Sequence, residues 1–228
     1  MKRTGFARRL SPDALDGRSR FPVTTFLITL SSVVDTVAGI IAWRRLFPAP
    51  MPAWFDPINT WYRNRAFPPE VALQQFAVAS GSRVLEVGPA GGYLTAAAAE
   101  AVAPSGWLVA VDVQWPLLRR LRARFGPKAP PLVHANTLQL PFRDRSFDVV
   151  ILAGVLGELP DQPRALGEIR RVLVPGGTLA LAEEFLLDPD YVRLPVALRL
   201  AREVGFEAGE RFTRPAAQQA AEAAGRGR

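Results

Sequence analysis

The stretch from Arg83 to Thr95, Arg-Val-Leu-Glu-Val-Gly-Pro-Ala-Gly-Gly-Tyr-Leu-Thr, constrains the fold more than any other part of the chain. Val84, Leu85 and Val87 form a short apolar run of the kind that makes a strand buried on both faces. A glycine-rich break follows, and then the alanines from Ala96 to Ala99, which favour a helix. Strand, tight glycine turn and helix together let a nucleotide-like ligand approach bare backbone. A dinucleotide fingerprint counted from Gly88 would need glycines where Ala90 and Tyr93 stand, so an NAD-dependent oxidoreductase is disfavoured.

More elements of the same kind follow. Trp107-Leu-Val-Ala-Val-Asp112 reads as a second buried strand ending in an acid, roughly twenty residues beyond the glycine turn, where a carboxylate accepts hydrogen bonds from a ribose diol. Pro131 to Ala135 reads as a third strand, with His134 structural within it, and Phe147 to Leu152 as core of a fourth. Leu166, Ile169 and Leu173 mark an amphipathic helix that a Pro175-Gly176-Gly177 turn separates from a strand over Thr178 to Ala182. Glu183 and Glu184 end that strand at the carboxyl edge, where open α/β sheets place ligands, and either could face a substrate. Pro69 opens a helix that Gly81 ends, Pro195 to Gly205 predicts a further helix, and Phe206 to Phe212 a sixth strand.

Composition removes several chemistries. With no cysteine and a single histidine, the chain has no disulfide, no thiolate zinc site and no cysteine nucleophile, and it gives little support to a histidine metal cluster or a Ser-His-Asp triad. No metal is expected. The net charge of +7 is carried almost wholly by arginine. Nucleic acid is not the expected partner, because no basic patch is interleaved with aromatics. Arg119, Arg120, Arg122 and Arg124 read as the solvated face of a helix whose core stripe is Leu117, Leu118 and Leu121.

The N-terminal part is organised differently. Residues 1–20 read as a basic arm, and residues 21–46 as an apolar helix whose only charge from Phe21 to Trp43 is Asp35. Its length suits a bilayer crossing, and its small residues opposite the apolar stripe suit helix packing. It either enters a membrane or docks on the domain or on a second copy. Residues 47–69, rich in proline, tryptophan and arginine, read as a linker and substrate-side cap. Residues 70–214 read as one α/β domain and residues 215–228 as a flexible tail.

Glu86 followed by Gly88, Ala90 and Gly92 resembles the Glu/Asp-x-Gly-x-Gly-x-Gly motif of class I S-adenosylmethionine-dependent methyltransferases, of the type 11 methyltransferase domain family, with Ala90 in place of the middle glycine. Asp144-Arg-Ser-Phe-Asp-Val-Val and Leu166-Gly-Glu-Ile-Arg-Arg-Val-Leu-Val-Pro-Gly-Gly177 are similar to two later signatures of that family, in the right order. The resemblance covers Trp54 to Arg214. It implies a Rossmann-like doubly wound α/β sheet, to which this sequence adds the N-terminal apolar helix and from which it departs at the end: the family's terminal antiparallel strand is expected to be missing, with Ala/Gln/Glu/Arg/Gly-rich sequence after Pro215 in its place. It also implies S-adenosylmethionine as cofactor, bound by Glu86, Gly88, Ala90, Gly92, Asp112, Val113, Asn136, Thr137 and Ala153. Asp112 would hold the ribose, Val113 would lie against adenine, and Asn136 stands where the family places an acid for the adenine amino group. Glu158, where a histidine often lies near the substrate, is a candidate general base; it reads equally as an acid complementing a helix N-terminus. The implied reaction is methyl transfer by a cytoplasmic domain; the resemblance does not specify the acceptor, and an apolar or lipid-like small molecule is favoured only by the apolar stretch 21–43, through which the chain could also attach to a membrane. The alternative is an S-adenosylmethionine-binding, catalytically idle membrane-associated protein, motivated by Ala90, Asn136 and the short C-terminus.

Overall fold

The computed structural model describes residues 35, 36, 38–40, 42–44, 46–183 and 190–207. The chain divides into two units, residues 1–42 and 43–228. Most of the apolar stretch 21–43 lies outside the described residues; those of it that are described are helical. Among the described residues, no helix is long and apolar enough to cross a membrane.

The second unit is built on a parallel sheet of five strands: β1 (Arg83–Val87), β2 (Trp107–Asp112), β3 (Leu132–His134), β4 (Phe147–Ala153) and β5 (Leu173–Ala182). Their order is β3-β2-β1-β4-β5, so the order reverses between β1 and β4. Among the described residues of this unit, six α-helices accompany the strands: α1 (Asp56–Ala66), α2 (Pro69–Gln75), α3 (Thr95–Val102), α4 (Trp115–Phe125), α5 (Gln162–Val172) and α6 (Leu194–Glu203).

Because side chains alternate along a strand, one apolar run feeds two cores. Val84, Val149 and Ile151 pack with Leu73 of α2 and Ala98 and Val102 of α3. Leu85, Val87, Val150 and Leu152 pack on the other face with Leu166, Ile169 and Val172 of α5 and Leu200 of α6. This is why the strands read as continuous hydrophobic segments.

Polar contacts fix the ends. Asp148 accepts from the Arg83 backbone N–H at 2.9 Å and from its guanidinium at 2.7 and 3.0 Å, joining β1 and β4 where both begin. Arg83 holds the Asp148 carboxyl below the usual carboxylate range. Arg171 binds Glu168, Asp144 and the carbonyls of Leu140 and Phe142, a structural role for the pair Glu168 and Arg171. Asp161 caps α5 by accepting from the Arg164 N–H.

Three boundaries differ from the sequence expectation. β5 begins at Leu173 rather than Thr178; the register jumps from Phe147↔Leu173 to Val149↔Thr178, so Pro175-Gly176-Gly177 is an irregularity inside the strand. Proline has no N–H for the ladder, and Gly176 takes a positive φ of 78°. α2 stops at Gln75, with Ala77 in the left-handed region, rather than running on to Gly81. Of the proposed strand 206–212, Phe206 and Glu207 are not in a strand, and the remainder lies outside the described residues.

Candidate functional site

The carboxyl ends of β1, β2 and β4 open into one cavity of roughly 250 Å³. It sits at the reversal of strand order, where diverging connections leave a crevice. Of the residues expected at the cofactor, Gly88, Ala90, Asp112, Val113, Asn136, Thr137 and Ala153 all line it, as does Glu158. Glu86 lines a small recess beside it, together with Arg63, Gly88 and Tyr93. Gly92 lines neither and acts from behind the turn.

Each residue of the turn has its own reason to be small. Gly88 has φ 68°, and a Cβ there would come within 2.6 Å of a Val155 methyl. A Cβ on Gly91 would meet the Asp56 carboxylate at 2.6 Å. Gly92, at φ 85°, backs onto Leu121 and Phe125 of α4. Ala90 takes φ 47°, the left-handed region that costs an L-residue roughly 1–2 kcal/mol. The substitution that departs from the family motif is therefore a strained residue facing the cavity.

Two acids end the central strands. Asp112 is buried and accepts from the N–H of Gln114 at 2.7 Å and from that of Ala90. Burial raises its carboxyl above the ordinary value, partly offset by those two bonds. Glu86 is also buried and accepts from the Thr95 hydroxyl at 2.7 Å. Burial pushes it up to about 7; the Thr95 bond opposes this and the Asp112 charge adds to it.

A pH dependence follows for the ligand-free protein. Between 4.5 and about 7 the folded chain holds a proton on Glu86 that the unfolded chain has released. Stability from this group is therefore highest at the acid end and falls as pH rises through about 7. The loss is expected to reach about 3 kcal/mol at most. Denaturant titrations of wild type and Glu86→Gln across this range check it: the variant should lose the slope, and an unchanged slope would assign it elsewhere.

Asn136 uses its side-chain carbonyl to accept from the Leu138 N–H at 2.9 Å, and that oxygen has a second lone pair for a ligand. Val113 is half exposed on the cavity wall, and its carbonyl lies 2.9 Å from His134 Nε2, consistent with a structural His134. Glu183 is half-buried and accepts from the Val192 N–H at 3.3 Å, whereas Glu184 lies outside the described residues.

The sequence reading expected residues 47–69 as a substrate-side cap but gave no site role to any residue of α1. Asp56 is buried and accepts from the Gly91 N–H at 2.7 Å, fastening the glycine turn from outside. Asn59 and Arg63 line the cavity, and Arg63 lies over the Tyr93 ring, 5.6 Å from its centre. Tyr93 donates to the Phe67 carbonyl just beyond α1. The available signal was a polar stripe, Asp56, Asn59, Thr60 and Arg63, at helical spacing. Two of the four arginines read as solvated also have partners: Arg120 donates to the Ala53 carbonyl and Arg124 to that of Gly91.

A strap from Pro48 to Pro52 closes one side of the cavity. Its Met51 N–H donates to Glu158 at 3.0 Å, and its Met51 carbonyl accepts from the Gln114 amide at 2.9 Å. At its outer end Arg44 donates to the Ala49 carbonyl and forms an ion pair with the buried Asp190.

Comparison with known proteins places this geometry. Residues 85–181 match the family model described as a methyltransferase domain. The chain is similar to a demethylmenaquinone methyltransferase of Geobacillus stearothermophilus, with 35% identity over 115 residues, 49% of each chain. It is similar to one of Staphylococcus aureus, with 33% identity over 112 residues, 49% of this chain and 46% of that one. It therefore spans about half the length of these relatives. Among solved structures, an S-adenosylmethionine-dependent methyltransferase of Aquifex aeolicus shares the fold with a TM-score of 0.60 and 22% identity, covering 65% of this chain and 85% of that one. A putative methyltransferase of Bacillus halodurans gives 0.53 and 25%, covering 63% and 70%.

Proposed function

We propose that the chain is a class I S-adenosylmethionine-dependent methyltransferase, residues 85–181 matching the model of a methyltransferase domain, and that it transfers a methyl group to an apolar, quinol-like small molecule. The observation that carries the reading is the single cavity that has Asp112 and the glycine turn at one end and the apolar wall of Pro48, Pro50, Val155 and Leu159 at the other. The similarity to methyltransferases named for demethylmenaquinone supports an acceptor of that chemical kind.

The residues present fit the cofactor. Asp112, an acceptor at the end of β2, suits the ribose diol. Asn136, Thr137 and Val113 suit adenine, and Glu86, Gly88 and Ala153 lie where the methionine end would pass. Arg63, a cation, and the carboxyl of Glu86 line one recess and suit the carboxylate and ammonium of an amino acid. When bound, S-adenosylmethionine supplies a methyl group activated by its sulfonium.

The chain's own contribution is alignment and exclusion of water. The strap and α1 cover the cavity, and Gly154 lets backbone approach the reacting end. Glu158, on the cavity wall, is the proposed base: as the acceptor oxygen or carbon forms its bond to the methyl carbon and the carbon–sulfur bond breaks, the acceptor proton passes to the carboxylate. Its bond to Met51 means that it also holds the strap. A water-soluble naphthoquinol offered with S-adenosylmethionine to the full chain tests the reading. Formation of S-adenosylhomocysteine and a methylated product is expected. Cofactor binding with no turnover on any quinol or phenol would leave an idle binder, and folded protein that binds no cofactor would sink the enzyme reading altogether.

A further inference from the structure

Helix α1 is inverted relative to an ordinary surface helix. Its polar residues Asp56, Asn59, Thr60 and Arg63 face the glycine turn and the cavity. The opposite side presents Trp54, just before the helix, with Ile58 and Trp61, which are 71%, 54% and 67% exposed. Trp54, Ile58, Trp61 and the exposed Arg65 fall on one stripe at helical spacing. Two indoles and an isoleucine aligned in water are unfavourable by the same area argument that builds a core.

The surroundings are basic. Arg120 and Arg124 of α4 reach the carbonyls of Ala53 and Gly91, which brings their guanidinium groups beside the start of α1. The whole chain carries 28 Lys and Arg against 21 Asp and Glu. A second copy of this chain laid on the stripe would set like charge against like charge. An anionic lipid surface complements it instead. Tryptophan favours the level of the headgroups, an apolar stripe edged by arginine is the pattern of a helix lying in the interface, and each arginine near such a surface is attracted to the anionic lipid.

We propose that α1 docks the protein on an anionic bilayer through Trp54, Ile58 and Trp61, with Arg65, Arg120 and Arg124 at the phosphates. The strap that lines the cavity leads directly into Trp54, so docking sets the cavity mouth at the lipid surface. The binding itself does not rest on the methyl-transfer reading, since it is measured without cofactor or acceptor. An apolar acceptor dissolved in lipid would gain most from it.

The test uses the full chain and vesicles of phosphatidylcholine with or without an equal part of phosphatidylglycerol, read by co-sedimentation and tryptophan emission. Wild type is expected to bind the anionic vesicles, with a blue-shifted emission and weaker binding at high salt. The triple variant Trp54→Ser, Ile58→Gln, Trp61→Gln should bind at least about tenfold more weakly, and Arg65→Glu several-fold more weakly. Trp107→Gln, an exposed tryptophan at the amino edge of the sheet, should change nothing. The proposal is overturned if wild type does not bind, if the triple variant and Arg65→Glu bind like wild type (which would assign binding to another part of the chain), or if wild type is a dimer that the triple variant dissociates.

Discussion

Replacing Asp112 by alanine is expected to weaken S-adenosylmethionine binding by about two orders of magnitude with little change in the thermal midpoint. Its carboxylate would accept both hydroxyls of the ribose, and hydrogen bonds to a charged acceptor contribute about 1.5–3 kcal/mol each. Two of them exceed the 1.4 kcal/mol that corresponds to tenfold in affinity. The fold should tolerate the change because burial already disfavours this charge, as its raised carboxyl records. What is lost in the free protein is acceptance from the Gln114 and Ala90 N–H groups, both beside the cavity and within reach of water. Asp112→Asn keeps one acceptor oxygen and the packing, so its affinity should fall between the two. Calorimetric titration of the cofactor into the three proteins orders them, and wild-type affinity in the alanine variant would move the ribose to another residue.

Gly92→Ala has the largest effect expected on stability, a loss of about 2–5 kcal/mol. Two terms add. An L-residue in the left-handed region costs about 1–2 kcal/mol, and Gly92 sits at φ 85°. The new methyl would lie 2.6 Å from Leu121 Cδ1 and 2.9 Å from the Phe125 ring, inside a packed helix contact, where overpacking costs about 1–3 kcal/mol. Gly167→Ala is the internal comparison. It lies within α5, a Cβ there meets nothing within 4 Å, and the change should stabilise by about 0.5–1 kcal/mol. Thermal or urea denaturation of both variants separates backbone strain and crowding from any general effect of an added methyl. Equal shifts in the same direction would contradict the argument.

The parallel sheet and its ligand edge were legible because burial on both faces leaves an unbroken apolar run. Val84 to Val87 and Leu108 to Val111 could hardly be anything else. Asp112 stood out because an acid directly after such a run has few structural reasons to be there. The contribution of α1 was not legible. Pattern reading assigns polar residues to solvent, and here Asp56 and Arg63 turn inward while Trp54 and Trp61 turn out. Arg120 and Arg124 are exposed, as read, but periodicity locates a residue on a helix face and not the carbonyl that a long side chain can reach. Nor does an alanine in sequence announce a left-handed backbone, so Ala90 read as a mere replacement. The bulge in β5 was hidden because Pro175-Gly176-Gly177 has the composition of a turn between elements.

The strap across the cavity has a mechanical consequence. Every second residue from Pro48 to Pro52 is proline, whose ring fixes one backbone angle before folding begins, so laying the strap down orders little that was free. Prolines also lack an N–H, which leaves Met51 to hold the strap to the domain, with one bond to Glu158 and one to Gln114. At the other end Arg44 is moored to the buried Asp190. Stiff along its length, the segment is moored near one end by Arg44, near the other by the Arg120 bond to the Ala53 carbonyl, and latched between them at Met51. Opening the two Met51 hydrogen bonds, a step of about a few kcal/mol, would free its middle while the sheet beneath stays folded.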